Sequence, residues 1–353
     1  MKQFHLLFII SVSFFFYSCI NNIEFNGEQQ QAMVVLNSFV TPDSVVKVQL
    51  TRSKFFLEDD TQFEAITNAE VKLFVNDVFV EKLNPTTKGY YIGTYFPKEN
   101  DIVKFVAIVP QLAEVNASTS VVPKQVIIGV DSSSVSLGEC PIVQHYSENG
   151  GPYVADTIGF NKNKGLDLRI RFKNEPTIKN YYRLLLKAKT YFEDGQVMEQ
   201  NVYSTSDDLV FGNSDNNADI FGDMSSYNSY NIFSDQLIDG ETYELKTRVP
   251  YNYVTYKDGY NSSTTPPDSS KNVITKQELV VELQSISESY YLYLKSINAY
   301  SGSDDFFSEP VQVFSNIVNG IGILGSYTQS SKVFELPATV GYDNYYCGGN
   351  DGF

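Results

Sequence analysis

Histidine is almost missing from this sequence. Of its two histidines, His5 sits in an N-terminal apolar run and His145 stands alone, read as an isolated loop residue. Zinc-binding HExxH helices and His-clustered metal centres need several imidazoles, and a Ser-His-Asp triad would have to use His145, so all three are nearly excluded. Tryptophan is absent, and cysteine occurs only at Cys19, Cys140 and Cys347. Those spacings make no C-x-x-C pair, so a zinc knuckle is not expected. Basic residues are outnumbered by acidic ones, 26 to 42, for a formal net charge of −16 and a pI near 4.6. Such a surface repels phosphates and anionic headgroups, which argues against nucleic-acid binding and against membrane adsorption through basic patches. No apolar run reaches the ~20 residues that a membrane-crossing helix needs.

The start of the chain carries the strongest positive signal. Met1-Lys2-Gln3 is a short basic leader, Phe4 to Tyr17 is apolar but for His5, Ser11 and Ser13, and Ser18-Cys19 follows. A charged start, a short apolar stretch and a small residue at the cut site make a secretory signal over residues 1–18. The junction resembles a lipobox, with Phe16 and Ser18 at the two diagnostic places before Cys19. Cys19 is therefore expected to become the lipid-carrying first residue, anchored stably by two or more acyl chains. The alternative is an ordinary signal peptide with a coincidental cysteine. Residues 19–31 are polar and read as a tether between lipid and fold.

The body reads as β-structure. Aromatic residues favour strands, and 25 Tyr and 25 Phe are present. Ala32–Val40 is a β-rich run, Thr41–Ser44 a turn, and Val46, Val48 and Leu50 alternate with polar residues. Val71, Leu73 and Val75 alternate again, followed by an Asn76-Asp77 hairpin turn, Gly89–Ile92 and Ile102–Val109. This period of two, broken by turn residues, predicts a β-sandwich over residues 32–122. Val121–Lys124 and the serine-rich stretch Asp131–Ser136 read as a boundary. Residues 123–353 read as a larger β-rich domain, with strands at Leu166–Phe172, Tyr181–Tyr191, Thr242–Val249, Glu278–Gln284 and Val311–Phe314. The expected fold is mainly β, with two immunoglobulin- or fibronectin-like sandwiches. One helix is predicted at Ser287–Tyr300, where Ser287 is a good N-cap and Tyr290, Leu294 and Ile297 fall at helical spacing.

Four patterns invite a chemical reading. Gly320-Ile-Gly-Ile-Leu-Gly325 matches G-x-G-x-x-G, but Ser326–Leu336 reads as a turn and then a strand, and no βαβ alternation is visible. Glycines serving a tight bend or close backbone packing are the preferred reading. Asn213, Asp215, Asn217 and Asp219 offer oxygens at every second place, as calcium requires, yet the glycine and the bidentate acid of an EF-hand are missing, so a solvated polar loop is preferred. Cys140 and Cys347 either form a disulfide in an oxidising compartment or stand as two thiols. The tyrosine pairs 90–91, 181–182, 290–291 and 345–346 suit core packing, but strand alternation turns one member of each strand pair outward. Paired carboxylates for glycoside hydrolysis cannot be singled out among 42 acids.

Several stretches resemble the domain-of-unknown-function 4249 family of outer-membrane lipoproteins. They are Met33–Val40 with Leu50-Thr51-Arg52-Ser53, Ala69–Leu73 leading to Gly89-Tyr90-Tyr91, Asn180–Arg183 with Phe233-Ser234-Asp235 and Gly240, and Ser287…Tyr291…Leu294 running into Asn316…Gly320–Gly325. Asp101 stands where the family turn expects a glycine. The resemblance implies outer-membrane residence, often beside a TonB-dependent transporter, and transfers no catalytic residue or cofactor. The expected function is a non-enzymatic accessory or ligand-capture lipoprotein. The alternatives are a surface glycan hydrolase using two carboxylates and a structural or adhesion module.

Overall fold

Alternation of apolar and polar residues sets the first set of strands. They are β1 (Val34–Val40), β2 (Lys47–Arg52), β3 (Glu70–Val75), β4 (Val78–Lys82), a short β5 (Asn84–Pro85), β6 (Tyr90–Ile92), β7 (Ile102–Ile108) and β8 (Val115–Ser120). The computed structural model describes residues 31–54, 62–147, 153–202, 208–211, 228–238, 240–256, 274–301 and 312–336. One sheet runs β5-β6-β2-β1, and a second runs β4-β3-β7-β8. Leu36, Val48 and Leu50 of the first face Leu73, Phe105 and Val115 of the second across one core. Asn76 and Asp77 both take left-handed φ, 51° and 63°, between the paired Val75 and Val78. That is the conformation a two-residue hairpin turn requires, and asparagine and aspartate tolerate it.

The second half adds β9 (Ile127–Ser147), β10 (Tyr153–Lys173), β11 (Tyr181–Phe192), β12 (Val197–Asn201), β13 (Ile232–Ser234), β14 (Thr242–Tyr256), β15 (Ile274–Ile286), the helix α1 (Glu288–Ser301) and β16 (Ile321–Leu336). A sheet in the order β14-β10-β9 packs on one containing β12-β11-β15-β16. Leu168, Ile170 and Phe172 meet Tyr182, Leu184, Phe233 and Leu283 in the second core. The fold is mainly β, built from two packed-sheet units with one long helix among the described residues, as the sequence predicts.

β16 is one continuous strand, where the sequence suggests a turn and then a strand. Its first part lies parallel to β1, from Val35 opposite Ile321 to Val40 opposite Ser326. Its second part lies antiparallel to β15, from Ile286 opposite Tyr327 to Gln277 opposite Leu336. The strand therefore belongs to both sandwiches and joins them in a single nine-stranded sheet. Residues 321–326, which fall C-terminal to the boundary drawn at 122/123, extend the sheet of the first sandwich. Serine side chains fix the linker to this sheet. Ser326 Oγ donates to the Ser120 carbonyl at 2.6 Å, Gln125 N–H donates to Ser285 Oγ at 3.3 Å, and Ile127 N–H donates to Ser330 Oγ at 3.1 Å. A buried backbone group without such a partner would be costly.

The glycine-rich segment serves this crossing. Gly322 has φ +115°, and a Cβ there would lie 2.2 Å from the Leu36 carbonyl oxygen on the parallel neighbour. A Cβ on Gly325 would come within 2.9 Å of Tyr290 Cβ on the helix above it. No phosphate-cradling turn into a helix forms, because the chain continues as a strand.

The helix forms where it is expected. Ser287 Oγ caps it by accepting from Tyr290 N–H at 3.4 Å, and the same oxygen accepts from Ser326 N–H at 3.0 Å. Tyr290 and Leu294 are buried, while Ile297 is half-buried. Three expectations need correction. Residues 312–314 are not a strand but hug the helix, with Phe314 N–H donating to Ser296 Oγ at 2.9 Å. Asp131–Ser136 is not a boundary loop but the middle of β9, with Ser132, Ser133 and Ser134 opposite Leu168, Asp167 and Leu166. Serine is tolerated there because β9 is an edge strand with these positions largely exposed. His145 stands in β9 opposite Ala155 rather than in a loop.

Candidate ligand-binding face

Strand alternation gives the second sandwich an outer face. In β11, Tyr182, Leu184 and Leu186 enter the core, so Arg183, Leu185 and Lys187 point the other way. In β15, Leu279, Val281 and Leu283 are core, leaving Glu278, Val280, Glu282 and Gln284 outward. Register then lays Arg183, Gln284 and Gln329 in one row across three strands, with Leu185, Glu282 and Ser331 in the next.

The helix roofs one end of this face. The Tyr181 and Tyr291 rings stack with centroids 4.6 Å apart. Arg183 Nη1 donates to the Tyr290 hydroxyl at 2.8 Å, and its guanidinium carbon stands 5.7 Å from the centre of the Tyr230 ring. Burial raises the Tyr290 hydroxyl pKa, with Arg183 partly opposing it. The phenol therefore stays neutral and available to the arginine.

Two atoms in the first row are left over. Arg183 Nε and Gln284 Oε1 are buried and find no hydrogen-bond partner. Gln284 is only 7% exposed, and its amide nitrogen is already committed to Gln329 Oε1 at 3.2 Å. A buried donor or acceptor left without a partner costs about 1–3 kcal/mol.

Arg183 apart, lysines and glutamates of the face pair with one another. Lys187 Nζ lies 3.2 and 3.0 Å from the two oxygens of Glu282, and Lys189 pairs with Glu199 at 3.2 Å. Glu278 is paired with Lys276 and accepts from the Tyr191 hydroxyl at 2.7 Å. Lys189 holds the Glu199 carboxyl below its usual range, and Lys276 followed by Tyr191 does the same for Glu278. These acids remain ionised at neutral pH and do not behave as proton donors.

A separate cleft of about 160 Å³ opens beside the helix N-terminus, between Val122, Pro123, Ile178, Lys179, Tyr181 and Glu288. It is smaller than the roughly 300–1,000 Å³ of ordinary ligand pockets. Its polar groups are engaged: Tyr181 donates to Glu288, and Lys179 Nζ stands 3.7 Å from the same carboxylate.

Cys19, Cys347, Asn213, Asp215, Asn217, Asp219 and the 345–346 tyrosine pair lie outside the described residues. Cys140 falls in β9 opposite Asn161. Tyr91 is buried and Tyr90 half-exposed, as alternation requires, but Tyr181 and Tyr182 are both buried. The helix covers the side of β11 that would otherwise be open. The family-like residues Asn180, Ser287, Asn316, Gly322 and Gly325 hold the scaffold together. Asn180 and Asp235, for example, are clasped by three bonds: Asn180 N–H and Nδ2 both donate to Asp235 Oδ2, at 3.0 and 2.9 Å, and Asp235 N–H donates to the Asn180 carbonyl at 3.1 Å. Gln284 and Gln329 gave no sequence signal, because only strand register places them beside Arg183.

No curated protein matches the chain. A solved structure described as the structural basis for the promiscuous specificity of carbohydrate-binding modules from the β-sandwich superfamily aligns at 10% identity and TM-score 0.17, over 66% of this chain and 95% of that one. A putative membrane-anchored protein from Corynebacterium diphtheriae aligns at 8% identity and TM-score 0.19, over 75% and 56%. At scores so low, nothing of either protein's binding carries over. The family described as Domain of unknown function (DUF4249) matches residues 20–333, most of the chain, and the protein belongs to that family.

Proposed function

We propose that this protein is a lipid-anchored envelope protein that captures a ligand on the outer face of its second sandwich and performs no chemistry on it. The observation that carries the reading is the polar row Arg183, Gln284 and Gln329 laid across three strands, in which the Arg183 guanidinium meets the Tyr290 hydroxyl and faces the Tyr230 ring. Cys19 supplies the anchor through its acyl chains, and the likeness to outer-membrane lipoproteins suggests a TonB-dependent transporter as the recipient.

A surface glycan hydrolase is the rival reading. It needs a carboxylic acid whose pKa is raised so that it can protonate a leaving group. Among the described residues, the carboxyls with a resolved shift, Glu70, Asp101, Asp167, Glu199 and Glu278, are all held low. That direction favours capture over hydrolysis.

The test uses the full chain in its native membrane. Mild solubilisation and affinity recovery should bring a transporter barrel with it, and Cys19→Ser should release the protein into the soluble fraction. Repeated recovery of the chain alone, or membrane retention unchanged by Cys19→Ser, overturns the accessory reading.

A further inference from the structure

We propose that the free edge of β9 pairs antiparallel with the same edge of a second copy of this chain, joining two β14-β10-β9 sheets into one. The inference is independent of the capture reading and concerns the other sheet of the second sandwich. β9 lies at the edge of that sheet and pairs with β10 alone. From Asp131 to Glu139 its side chains are exposed on both faces, Val135 being half-buried, so the opposing sheet does not cover this stretch. Which backbone groups point outward follows from β10. Lys173 N–H donates to the Val126 carbonyl on the β9 side, and Asn174 N–H donates to the Glu241 carbonyl on the β14 side. Odd-numbered residues of β10 therefore bond toward β9 and even-numbered ones toward β14. Asp131, Ser133 and Val135 oppose Arg169, Asp167 and Gly165, so they bond inward to β10. Val130, Ser132, Ser134 and Ser136 turn their N–H and C=O groups outward, and among the described residues nothing pairs with them.

A row of open main-chain donors and acceptors fits an extended polypeptide. The sequence of this edge suits its own two-fold image. Register shifts at Arg171/Phe172 and Asn163/Lys164 bound the regular stretch to Gly129–Ser136. A two-fold axis at Ser133 sets Val130 against Ser136 and Ser132 against Ser134, so every outward group of the stretch meets a partner. Asp131 then faces Val135 rather than another acid, and it is already paired with Arg171 at 3.1 Å. The remaining residues are glycine, serine and valine, with none of the lysines or prolines that commonly protect an edge. No unpaired charge on the stretch selects a charged partner. The opposite edge of the sheet differs, because on β14 the Lys246 N–H donates to Asp208 Oδ2 at 2.8 Å. Self-association through one patch about a two-fold axis is the commonest form of protein oligomer. The chain's negative charge opposes it at low salt, but at physiological ionic strength charges are screened beyond ~8 Å.

The test is sedimentation velocity at physiological salt on the whole chain from residue 19 onward, with Cys19, Cys140 and Cys347 replaced by serine. A dimer should grow in over the micromolar range. Ser134→Pro removes an outward N–H and leaves the bonds to β10 in place, so it should weaken association by about tenfold or more. Ser133→Cys should lock the dimer on mild oxidation. In the two-fold pair Ser133 faces its own copy at a non-hydrogen-bonded position, with Cα atoms about 4.5 Å apart and within disulfide reach. Ser136→Cys faces Val130 instead and should not cross-link. The two cysteine variants decide the matter even if Ser134→Pro fails to fold. A chain that stays monomeric and forms no disulfide through Ser133→Cys overturns the proposal. So does a dimer that survives Ser134→Pro in folded protein, or one that cross-links through Ser136→Cys and not through Ser133→Cys. If Ser133→Cys in cells cross-links only to a different polypeptide, the edge receives a foreign strand and the second-copy assignment falls.

Discussion

Asn316 closes a two-point pair with the backbone of Leu324: its Oδ1 accepts from Leu324 N–H and its Nδ2 donates to the Leu324 carbonyl, both at 2.9 Å. Leu324 is fully buried in the first core, and the Asn side chain stands in for a strand that is not there. Asn316→Ala leaves the Leu324 N–H unpaired, while the Leu324 carbonyl keeps its bond from Ser289 Oγ at 3.0 Å. It should cost about 1–3 kcal/mol, read as a shifted denaturant midpoint with an unchanged slope. Asn316→Asp, which keeps the acceptor and loses the donor, should fall between that variant and the parent.

Gly322 tests the parallel crossing. Its left-handed φ and its contact with the Leu36 carbonyl both oppose a side chain. Gly195 also has positive φ, but a methyl group there would meet no atom within 4 Å. Gly195→Ala should therefore cost only the conformational strain, about 1–2 kcal/mol. Gly322→Ala should cost visibly more, measured side by side by chemical denaturation. Equal losses would show that the close approach to Leu36 relaxes freely.

Asp101 predicts a pH dependence. Its carboxylate accepts from the Tyr95 hydroxyl at 2.7 Å, from Lys98 N–H at 2.8 Å and from Asn76 Nδ2 at 3.3 Å. Burial pushes its pKa up, but these hydrogen bonds outweigh burial and leave it below the ordinary 3.8. The folded state thus binds that proton less tightly than the unfolded chain. The stabilisation is complete above pH 3.8 and disappears as pH falls through the depressed folded value. Asp101→Asn should be about 1–3 kcal/mol less stable at pH 7, with the gap narrowing below about pH 4. The partner Tyr95 is pushed up to about 12 by burial and by Asp101, so this contact should persist through moderate alkali.

Tyr91 is fully buried, accepts from Ala69 N–H at 2.9 Å and donates to the Ile66 carbonyl at 3.0 Å. Tyr91→Phe keeps the ring and strands both backbone groups. The loss should be about 1–3 kcal/mol. Tyr90→Phe, on the half-exposed neighbour, should be within about 0.5 kcal/mol of the parent.

Much of this architecture is legible in the residues themselves. Val71, Leu73 and Val75 announce a strand by their period, Asn76-Asp77 the hairpin after it, and Ser287 with Tyr290 and Leu294 the helix and its cap. These are local choices, made by backbone sterics and by which face of an element can be buried. Asp131–Ser136 misleads for a local reason too: serine clusters usually mark loops, but an edge strand paired on one side tolerates them.

The candidate face follows a different logic. Arg183 lies about a hundred residues before Gln284, and Gln284 lies 45 before Gln329. No periodicity relates them, because cross-strand register is fixed by the summed packing of the whole sheet. The sequence by itself determined that the chain would make twisted, half-buried strands with one capped helix, since each of those depends on neighbours a few residues away. Only tertiary structure decided that β16 runs through both sandwiches, that the helix roofs β11, and that an unpaired donor and acceptor end up side by side. Those outcomes depend on contacts between distant segments, whose energies no short stretch of residues carries.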